Sequence, residues 1–179
     1  MWRGCVNVRP RQKNVRPQPR PLRNATKSVL PMPDAVLFSS KKTEWETPAA
    51  LFADLDREFQ FTFDICASPE NAKRDQYYTI DQDALKHPWV GRCFCNPPYG
   101  RKTLQWLAKA HAEIQHSECE VIVMLLPART DTRWFHRYLW DRTHHHARSG
   151  VSVRFLRGRL HFGGGEHPAP FPSLIAIWQ

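Results

Sequence analysis

The segment Cys95-Asn96-Pro97-Pro98-Tyr99-Gly100 follows a short apolar run and precedes a stretch with helical periodicity. Such a polar loop after a strand is typical of open α/β sheets, which place their ligands at the carboxyl ends of the strands. The two prolines fix two φ angles and remove two backbone donors, so the loop is stiff and rich in carbonyl acceptors. Asn96 adds an amide oxygen, and Tyr99 adds a flat ring on which a planar ligand can stack.

Two acceptors beside an aromatic plane suit the exocyclic amino group of a nucleobase. The lone pair of such an amine is delocalised into the ring, which makes the nitrogen a weak nucleophile. Hydrogen bonds accepted from its N–H groups favour a more tetrahedral nitrogen and stabilise the positive charge that develops in the transition state. The same residues also fit an ordinary proline-rich turn, so the surrounding sequence has to decide between the two interpretations.

Helix-like and strand-like segments alternate along the rest of the chain. Residues 47–59 and 103–115 predict amphipathic helices, the first with Thr47 as N-cap and Pro48 at the first helical position. The continuous apolar run at 120–126 is typical of a central, buried parallel strand. Further strands are predicted at 61–66, 91–95, 151–156 and 173–178, the last two as an antiparallel edge pair. This alternation predicts a doubly wound α/β sheet.

Two helix details follow from the same patterns. In residues 103–115 the periodicity leaves Trp106 outside an apolar face formed by Leu104, Leu107, Ala108, His111 and Ile114. Thr132 is expected to cap a further helix that carries Trp134, Phe135, Tyr138 and Leu139.

The net charge of +9 is confined to the N-terminal part of the chain. Residues 1–42 contain ten Lys/Arg and one acid, whereas residues 43–179 contain sixteen charged residues of each sign. We expect residues 1–38 to form a disordered basic arm and residues 39–179 to form the folded domain. The arm is either a phosphate-binding tail or the result of a misassigned start, with Met32 as the alternative first residue.

The sequence contains no apolar run of membrane length and no hydrophobic core of a signal peptide. Five cysteines, an odd number, fit a reducing compartment, so we expect a cytoplasmic protein without a membrane partner. No metal is expected either. The residues 144–146 are three adjacent histidines, and Cys93 and Cys95 alternate along a strand, so neither group has the usual spacing of zinc ligands.

Four segments around the central loop form a wider pattern, in this order: Glu44-Trp45-Glu46-Thr47-Pro48, Phe61-Thr62-Phe63-Asp64-Ile65-Cys66-Ala67, Phe94 to Gly100, and Pro127-Ala128-Arg129-Thr130-Asp131-Thr132. From about Ser39 to the C-terminus the chain resembles the phage-type, Dam-like DNA N6-adenine methyltransferase family. The resemblance implies a compact, Rossmann-like, S-adenosylmethionine-dependent methyltransferase fold. Its sheet would be mostly parallel, with an antiparallel C-terminal edge.

The resemblance also implies which residues act. The catalytic loop would be Asn96, Pro97, Pro98 and Tyr99, and the methyl donor S-adenosylmethionine. The usual glycine-rich loop is missing, because no glycine lies between Asp64 and Asn71, so small side chains would allow the cofactor to approach. For the segment around Asp83, a solvated turn is as good an interpretation as a contact with the cofactor. The residues expected to contact the cofactor are Thr47, Pro48, Asp64, Cys66, Ala67, Asp83 and Asn96.

The implied substrate is double-stranded DNA with the target adenine flipped out, in a bacterial cell or a phage-infected host. The expected DNA contacts are Arg101, Arg129, Arg157 and Arg159, although Arg129 also has Asp131 as a possible partner. The loop between the last two strands contains Phe162 and Phe171, and it suits either a groove for splayed DNA or a plain exposed hairpin.

Three other functions fit parts of the pattern. Cytosine-N4 methylation would use the Asn-Pro-Pro-Tyr loop in the same way, and so would methylation of a glutamine amide in a protein. A DNA-binding module with a decayed cofactor site would account for the missing glycines.

Overall fold

The computed structural model of the protein describes residues 45–165 and 167–179. The basic arm expected over residues 1–38, with both of its interpretations, lies outside these residues. The strands of the described part are, in chain order, β1 (Phe63–Asp64), β2 (Gln76–Tyr77), β3 (Gly91–Cys95), β4 (Cys119–Pro127), β5 (Trp140–Asp141), β6 (His146–Ala147), β7 (Val151–Phe155) and β8 (Ser173–Trp178). The two α-helices of this part are α1 (Ala49–Phe59) and α2 (Thr103–Glu113).

The main sheet has the strand order β2-β1-β3-β4-β8-β7. The strands from β2 to β4 run parallel, whereas β8 is antiparallel to β4 and β7 is antiparallel to β8. A mostly parallel sheet with an antiparallel C-terminal edge is thereby confirmed. Strand β8 inserts between β4 and β7, so β7 alone forms that edge. The short strands β5 and β6 form a separate two-stranded sheet.

Both faces of the sheet are covered, as expected for a doubly wound α/β fold. Side chains of β3 alternate between the faces, so Phe94 packs on the side of α1 whereas Cys93 and Cys95 pack on the side of α2. Strand β4 is paired on both edges and buried over nearly its whole length, which confirms the predicted central strand. The carboxyl ends of these strands therefore stand on a well-packed support.

Helix α1 begins one residue later than predicted. Pro48 occupies the N-cap position, with φ −57° and ψ 132°, and helical geometry starts at Ala49. The prediction of Thr47 as the capping residue is therefore wrong, and its hydroxyl serves another partner. The buried face of α1 contains Phe52, Leu55 and Phe59, in line with the predicted apolar stripe.

Helix α2 buries a different face from the predicted one. Its buried residues are Thr103, Trp106, Leu107, Ala110 and Glu113, whereas Leu104 is 39% exposed. The cause is Trp89, whose ring lies 6.2 Å from that of Trp106 and whose backbone N–H donates to the Glu113 carboxylate at 2.8 Å. The buried face of α2 is therefore rotated toward Trp89, and it shares only Leu107 with the predicted face.

Two further predictions need correction. The strand expected at 61–66 is reduced to Phe63–Asp64, although the backbone N–H groups of Thr62 and Ile65 continue the pairing by donating to carbonyls of β3. The helix expected after Thr132 does begin at Arg133, but it is short and π-helical over Phe135–Leu139, and the Thr132 hydroxyl donates to the Arg129 carbonyl at 2.8 Å instead of capping it. Within residues 45–165 and 167–179, no helix is long and apolar enough to cross a membrane.

Candidate active site

The carboxyl ends of the parallel strands define one edge of the sheet. Strand β1 ends at Asp64, β3 ends just before Asn96, and β4 ends at Pro127. The antiparallel strand β8 starts at the same edge, because Ser173 pairs with Pro127. The Asn-Pro-Pro-Tyr loop thus lies between the end of β1 and the end of β4, as the sequence predicted for a ligand-binding loop.

The amide of Asn96 is held by three hydrogen bonds. Its Nδ2 donates to the backbone carbonyl of Trp45 and to Thr47 Oγ1, the latter at 3.0 Å. Its Oδ1 accepts a hydrogen bond from the Tyr99 hydroxyl at 2.8 Å. Because a backbone carbonyl can only accept, the nitrogen must face Trp45, and this contact fixes which way the amide points.

Tyr99 is engaged by both its hydroxyl and its ring. The hydroxyl lies 3.4 Å from the carbonyl oxygen of Leu125, in addition to its bond to Asn96. Burial, with the nearby Cys95 thiol, raises the pKa of Tyr99 far above the usual range, so the phenol stays protonated and continues to donate. Its ring packs edge-to-face on Phe171, with the centroids 5.6 Å apart.

An aromatic cluster covers the loop. We define it as the rings of Trp45, Tyr99, Phe162 and Phe171, in which Trp45 meets each of the two phenylalanines at 5.2 Å. Phe162 is buried, so the expectation of a freely exposed aromatic hairpin is wrong at this residue. The C-terminal loop instead packs its aromatic side chains against the Asn-Pro-Pro-Tyr loop.

Asp64 is a buried carboxylate, 3% exposed, at the end of β1. Its oxygens accept from the backbone N–H groups of Lys73 at 3.0 Å and Cys66 at 3.4 Å. Burial raises the pKa of Asp64 to about 6 because the penalty for removing the charge from water outweighs these two hydrogen bonds. The Asp64 carboxyl therefore changes its charge near pH 6.

The glycine-free loop after β1 is ordered by other means. Asn71 Oδ1 accepts from the backbone N–H of Ser68 at 2.8 Å, and the N–H of Ala67 donates to the carbonyl of Tyr78 at 3.1 Å. Cys66 Sγ lies 3.8 Å from Cys95 Sγ, which joins this loop to the strand that carries Asn96. An open cavity of about 390 Å³ beside the loop is lined by Pro69, Ala72, Lys73, Arg74, Asp75 and Tyr77.

Asp83 lies apart from this bonding network. It precedes a 3₁₀ turn at Ala84–Lys86, has a left-handed backbone with φ 54°, and its carboxylate is 3.0 Å from Lys86 Nζ. The expected contact of Asp83 with the cofactor stays a prediction.

The four arginines expected to bind DNA are exposed. Arg101 follows the Asn-Pro-Pro-Tyr loop and Arg129 follows β4, so both leave the same edge of the sheet. Arg157 and Arg159 follow β7, whose last residue Phe155 pairs with Leu174 near this edge. DNA binding by these side chains stays a prediction.

Several residues of the site were missed by sequence reasoning. Trp45 contributes a backbone carbonyl, Lys73 contributes a backbone N–H, and Asn71 contributes an ordering amide. Backbone groups give no sequence signal, whereas Asn71 stands where a turn-forming side chain is often found. In the part of the chain that the structure describes, no group of three or more His, Cys, Asp or Glu residues is placed to hold a metal ion.

This sheet order, with helices on both faces and a polar loop at the end of β3, defines a Rossmann-like α/β fold of the methyltransferase type. The family model for DNA N-6-adenine-methyltransferase (Dam) matches residues 35–170. The chain belongs to this family, which confirms the resemblance found in the sequence.

Three curated proteins are similar to parts of the chain. The DNA N-6-adenine-methyltransferase of Haemophilus phage HP1 (strain HP1c1) is 33% identical over 99 residues, 54% of this chain and 56% of the phage protein. The DNA N-6-adenine-methyltransferase of Escherichia phage T1 is 34% identical over 107 residues, 58% of this chain and 41% of that protein. The putative methyltransferase YfdM of Escherichia coli (strain K12) is 36% identical over 64 residues, 31% and 70% of the two chains. The chain spans about half the length of the two phage relatives.

Proposed function

We propose that the protein transfers a methyl group from S-adenosylmethionine to the N6 amino group of an adenine in double-stranded DNA. The observation that carries the proposal is the Asn96 amide, whose nitrogen is tied to the protein and whose oxygen stands at the ligand edge of the sheet. Membership of the DNA N-6-adenine-methyltransferase family and the names of both phage relatives favour adenine as the acceptor.

In the proposed mechanism the adenine is flipped out of the duplex, because its amino group cannot reach Asn96 inside the stack. Asn96 Oδ1 and the main-chain carbonyl of Pro97 accept hydrogen bonds from the two N6 hydrogens. These acceptors stabilise the positive charge that develops on N6 during transfer. Pro98 stiffens the loop, and Tyr99 provides the aromatic surface beside the base.

The residues at the end of β1 fit the proposed cofactor. When bound, S-adenosylmethionine would supply an electrophilic methyl group; its sulfonium would leave as the thioether of S-adenosylhomocysteine, and N6 would release one proton to solvent. The buried Asp64 carboxylate suits a cationic or hydroxyl-bearing group, and the small side chains of Cys66 and Ala67 leave room beside it. Pro48 and Thr47 enter the site from the start of α1, and Asp83 would approach the adenine ring of the cofactor.

The proposed DNA contacts are electrostatic. Arg101, Arg129, Arg157 and Arg159 are exposed and can bind backbone phosphates on either side of the flipped nucleotide. A reaction on DNA would place the protein in the cytoplasm of a bacterial cell or a phage-infected host.

The test combines purified full-length protein, unmethylated phage DNA and isotope-labelled S-adenosylmethionine, followed by digestion and mass spectrometry of the nucleosides. We expect labelled N6-methyladenine with the native protein and none with Asn96→Ala, which should still bind the cofactor in calorimetry. Labelled N4-methylcytosine would assign the acceptor to cytosine instead. No methylated base, together with no cofactor binding, would favour a DNA-binding module without catalysis.

A further inference from the structure

We propose that Thr47 is a positioning residue, which acts with the backbone carbonyl of Trp45 to hold the Asn96 amide with its oxygen toward the substrate. This inference rests on the proposed function. It gives Thr47 a different role from the cofactor contact that the sequence predicted, and it assigns a specific task to the chain just before α1.

The hydrogen bonds account for every donor of the Asn96 side chain. A primary amide has two N–H groups, and here one points to the Trp45 carbonyl and the other to Thr47 Oγ1 at 3.0 Å. Rotating the amide by half a turn would place Oδ1 against the Trp45 carbonyl, so that two acceptors would face each other. Only one orientation satisfies this pair of partners.

The oxygen of the amide is left with capacity to spare. Oδ1 has two lone pairs, and the Tyr99 hydroxyl uses one of them at 2.8 Å. The other is available to an N–H group of the substrate. An amide that rotated freely would present its NH₂ group to the adenine amine for part of the time, and a donor facing a donor cannot support the reaction.

Thr47 is free to perform this task because the helix does not use it. Threonine before a helix commonly caps the first turn, but α1 has Pro48 at its N-cap and receives no side-chain capping bond. The Thr47 side chain is 5% exposed and buried against the loop, so its hydroxyl is held in place rather than solvated. This buried hydroxyl accepts a hydrogen bond from Asn96 Nδ2, which indicates that it orients the Asn96 amide.

The decisive variant is Thr47→Val, which keeps the branched shape but removes the acceptor for Nδ2. We expect kcat to fall by about tenfold, the effect of one lost hydrogen bond in a positioned group, while Kd for S-adenosylmethionine changes by less than about twofold. Thr47→Ser restores the hydroxyl and should recover kcat to within about threefold. An unchanged kcat at saturating cofactor, with a cofactor Kd raised tenfold or more, would overturn the proposal and return Thr47 to a cofactor contact.

Thr62→Val is the control for the same substitution at an exposed site. Thr62 Oγ1 also accepts from an N–H group, that of Arg92 at 3.0 Å, but it stands at the amino end of β1, away from Asn96. The same chemical change should there leave kcat and cofactor affinity unaltered. A fall in kcat equal to that of Thr47→Val would show a general effect on the fold and overturn the specific role of Thr47.

A second readout does not depend on turnover. In ¹⁵N-labelled protein, the side-chain NH₂ signals of Asn96 are assigned by their loss in Asn96→Ala, and their exchange with water is measured. We expect these signals to be protected in the native protein and to exchange at least tenfold faster in Thr47→Val, but not in Thr62→Val. Fast exchange in the native protein would overturn the proposal even where DNA is methylated. Protected signals without methylation would instead contradict the proposed function, while the role of Thr47 in orienting the Asn96 amide would still be supported.

Discussion

At the scale of single residues, the contacts of Asn96 favour asparagine over aspartate. Aspartate would keep an acceptor oxygen for the substrate, but its second oxygen would face the Trp45 carbonyl that now accepts from Nδ2. We expect Asn96→Asp to lower kcat by more than tenfold and to reduce stability by roughly 1–3 kcal/mol, because one buried acceptor loses its donor. Turnover assays and urea denaturation measure both effects. Activity equal to the native protein would mean that the Trp45 contact does not restrict residue 96.

The hydroxyl and the ring of Tyr99 make different contacts, so their contributions can be separated. Tyr99→Phe removes the donor to Asn96 Oδ1 and Leu125 but keeps the ring packed on Phe171. We expect a loss of about 1 kcal/mol in the free energy of unfolding, with kcat changed by less than tenfold, because the amide stays tied through its nitrogen. Urea denaturation and steady-state kinetics provide the measurement. Tyr99→Ala, which also removes the ring, should be the more damaging variant, and the reverse order would contradict this division of roles.

The sequence predicted where Asn96 lies but not what holds it. The strand pattern before the loop and the two prolines within it are local signals, so the loop could be placed at a strand end. Its partners Trp45 and Thr47 are about fifty residues away, and one of them contributes a backbone carbonyl. Such long-range contacts depend on how α1 approaches β3, which no local pattern encodes.

At the scale of elements, the residues 45–47 connect three parts of the site. The backbone carbonyl of Glu46 accepts from Gly163 N–H at 2.9 Å, and its carboxylate lies 3.2 Å from Lys73 Nζ. The Trp45 ring packs on the C-terminal loop, while Thr47 reaches Asn96. This short segment therefore couples the loop after β1, the loop after β3 and the hairpin between β7 and β8.

The contribution of the aromatic cluster to this coupling can be measured by removing one of its rings. Phe171→Ala removes the ring that touches Trp45, Tyr99 and Phe162. Because Phe171 is only half-buried, we expect a loss of about 2 kcal/mol, below the range for a fully buried phenylalanine, and faster hydrogen exchange in the hairpin. Thermal unfolding and amide exchange by mass spectrometry measure the two effects.

Phe155→Ala is the control for this substitution. Phe155 ends β7 and is 55% exposed, so its removal should change stability by no more than about 0.5 kcal/mol. Equal losses in the two variants would mean that the cluster adds nothing beyond general apolar burial.

The sequence predicted which segments form helices and strands better than it predicted which face of each is buried. Strands β3, β4, β7 and β8 were found by short runs of β-forming residues, because these runs bury both faces or alternate regularly. Helix α2 was found by its period, but the face that the period predicted is not the one that is buried. The choice was made by Trp89, which binds Glu113 through its backbone N–H and so draws a charged residue into the core. A buried carboxylate of this kind is contrary to the polarity pattern from which helix faces are predicted.

At the scale of the whole molecule, the position of charge matters more than its total. Residues 43–179 contain equal numbers of acidic and basic residues, so this part has no net attraction for DNA. The exposed Arg101, Arg129, Arg157 and Arg159 all follow strand or loop ends near the ligand edge. With residues 43–179 balanced in charge, these four arginines at one edge would bind phosphate mainly beside the proposed site.

The pKa of Asp64 links the fold to pH. Its folded-state pKa of about 6 lies above the ordinary 3.8, so the folded protein holds this proton more tightly than the unfolded chain. The contribution of Asp64 to stability is therefore full below pH 3.8, is lost as pH rises through 6, and is constant above that. If Asp64 binds the proposed cofactor, the affinity for that cofactor has the opposite dependence, because an ionised carboxylate is the form that binds a cationic or hydroxyl-bearing group.

We therefore expect affinity for S-adenosylmethionine to increase as pH rises from 5 to 7, with a midpoint near 6 and a slope of up to about tenfold per pH unit below it. Calorimetry across this range measures Kd directly. Asp64→Asn, which cannot ionise, should bind more weakly at pH 7 and show no such midpoint. A native protein whose Kd is constant from pH 5 to 7 would mean that the cofactor does not bind the Asp64 carboxylate, and that this buried group serves only to order the loop through Lys73 and Cys66.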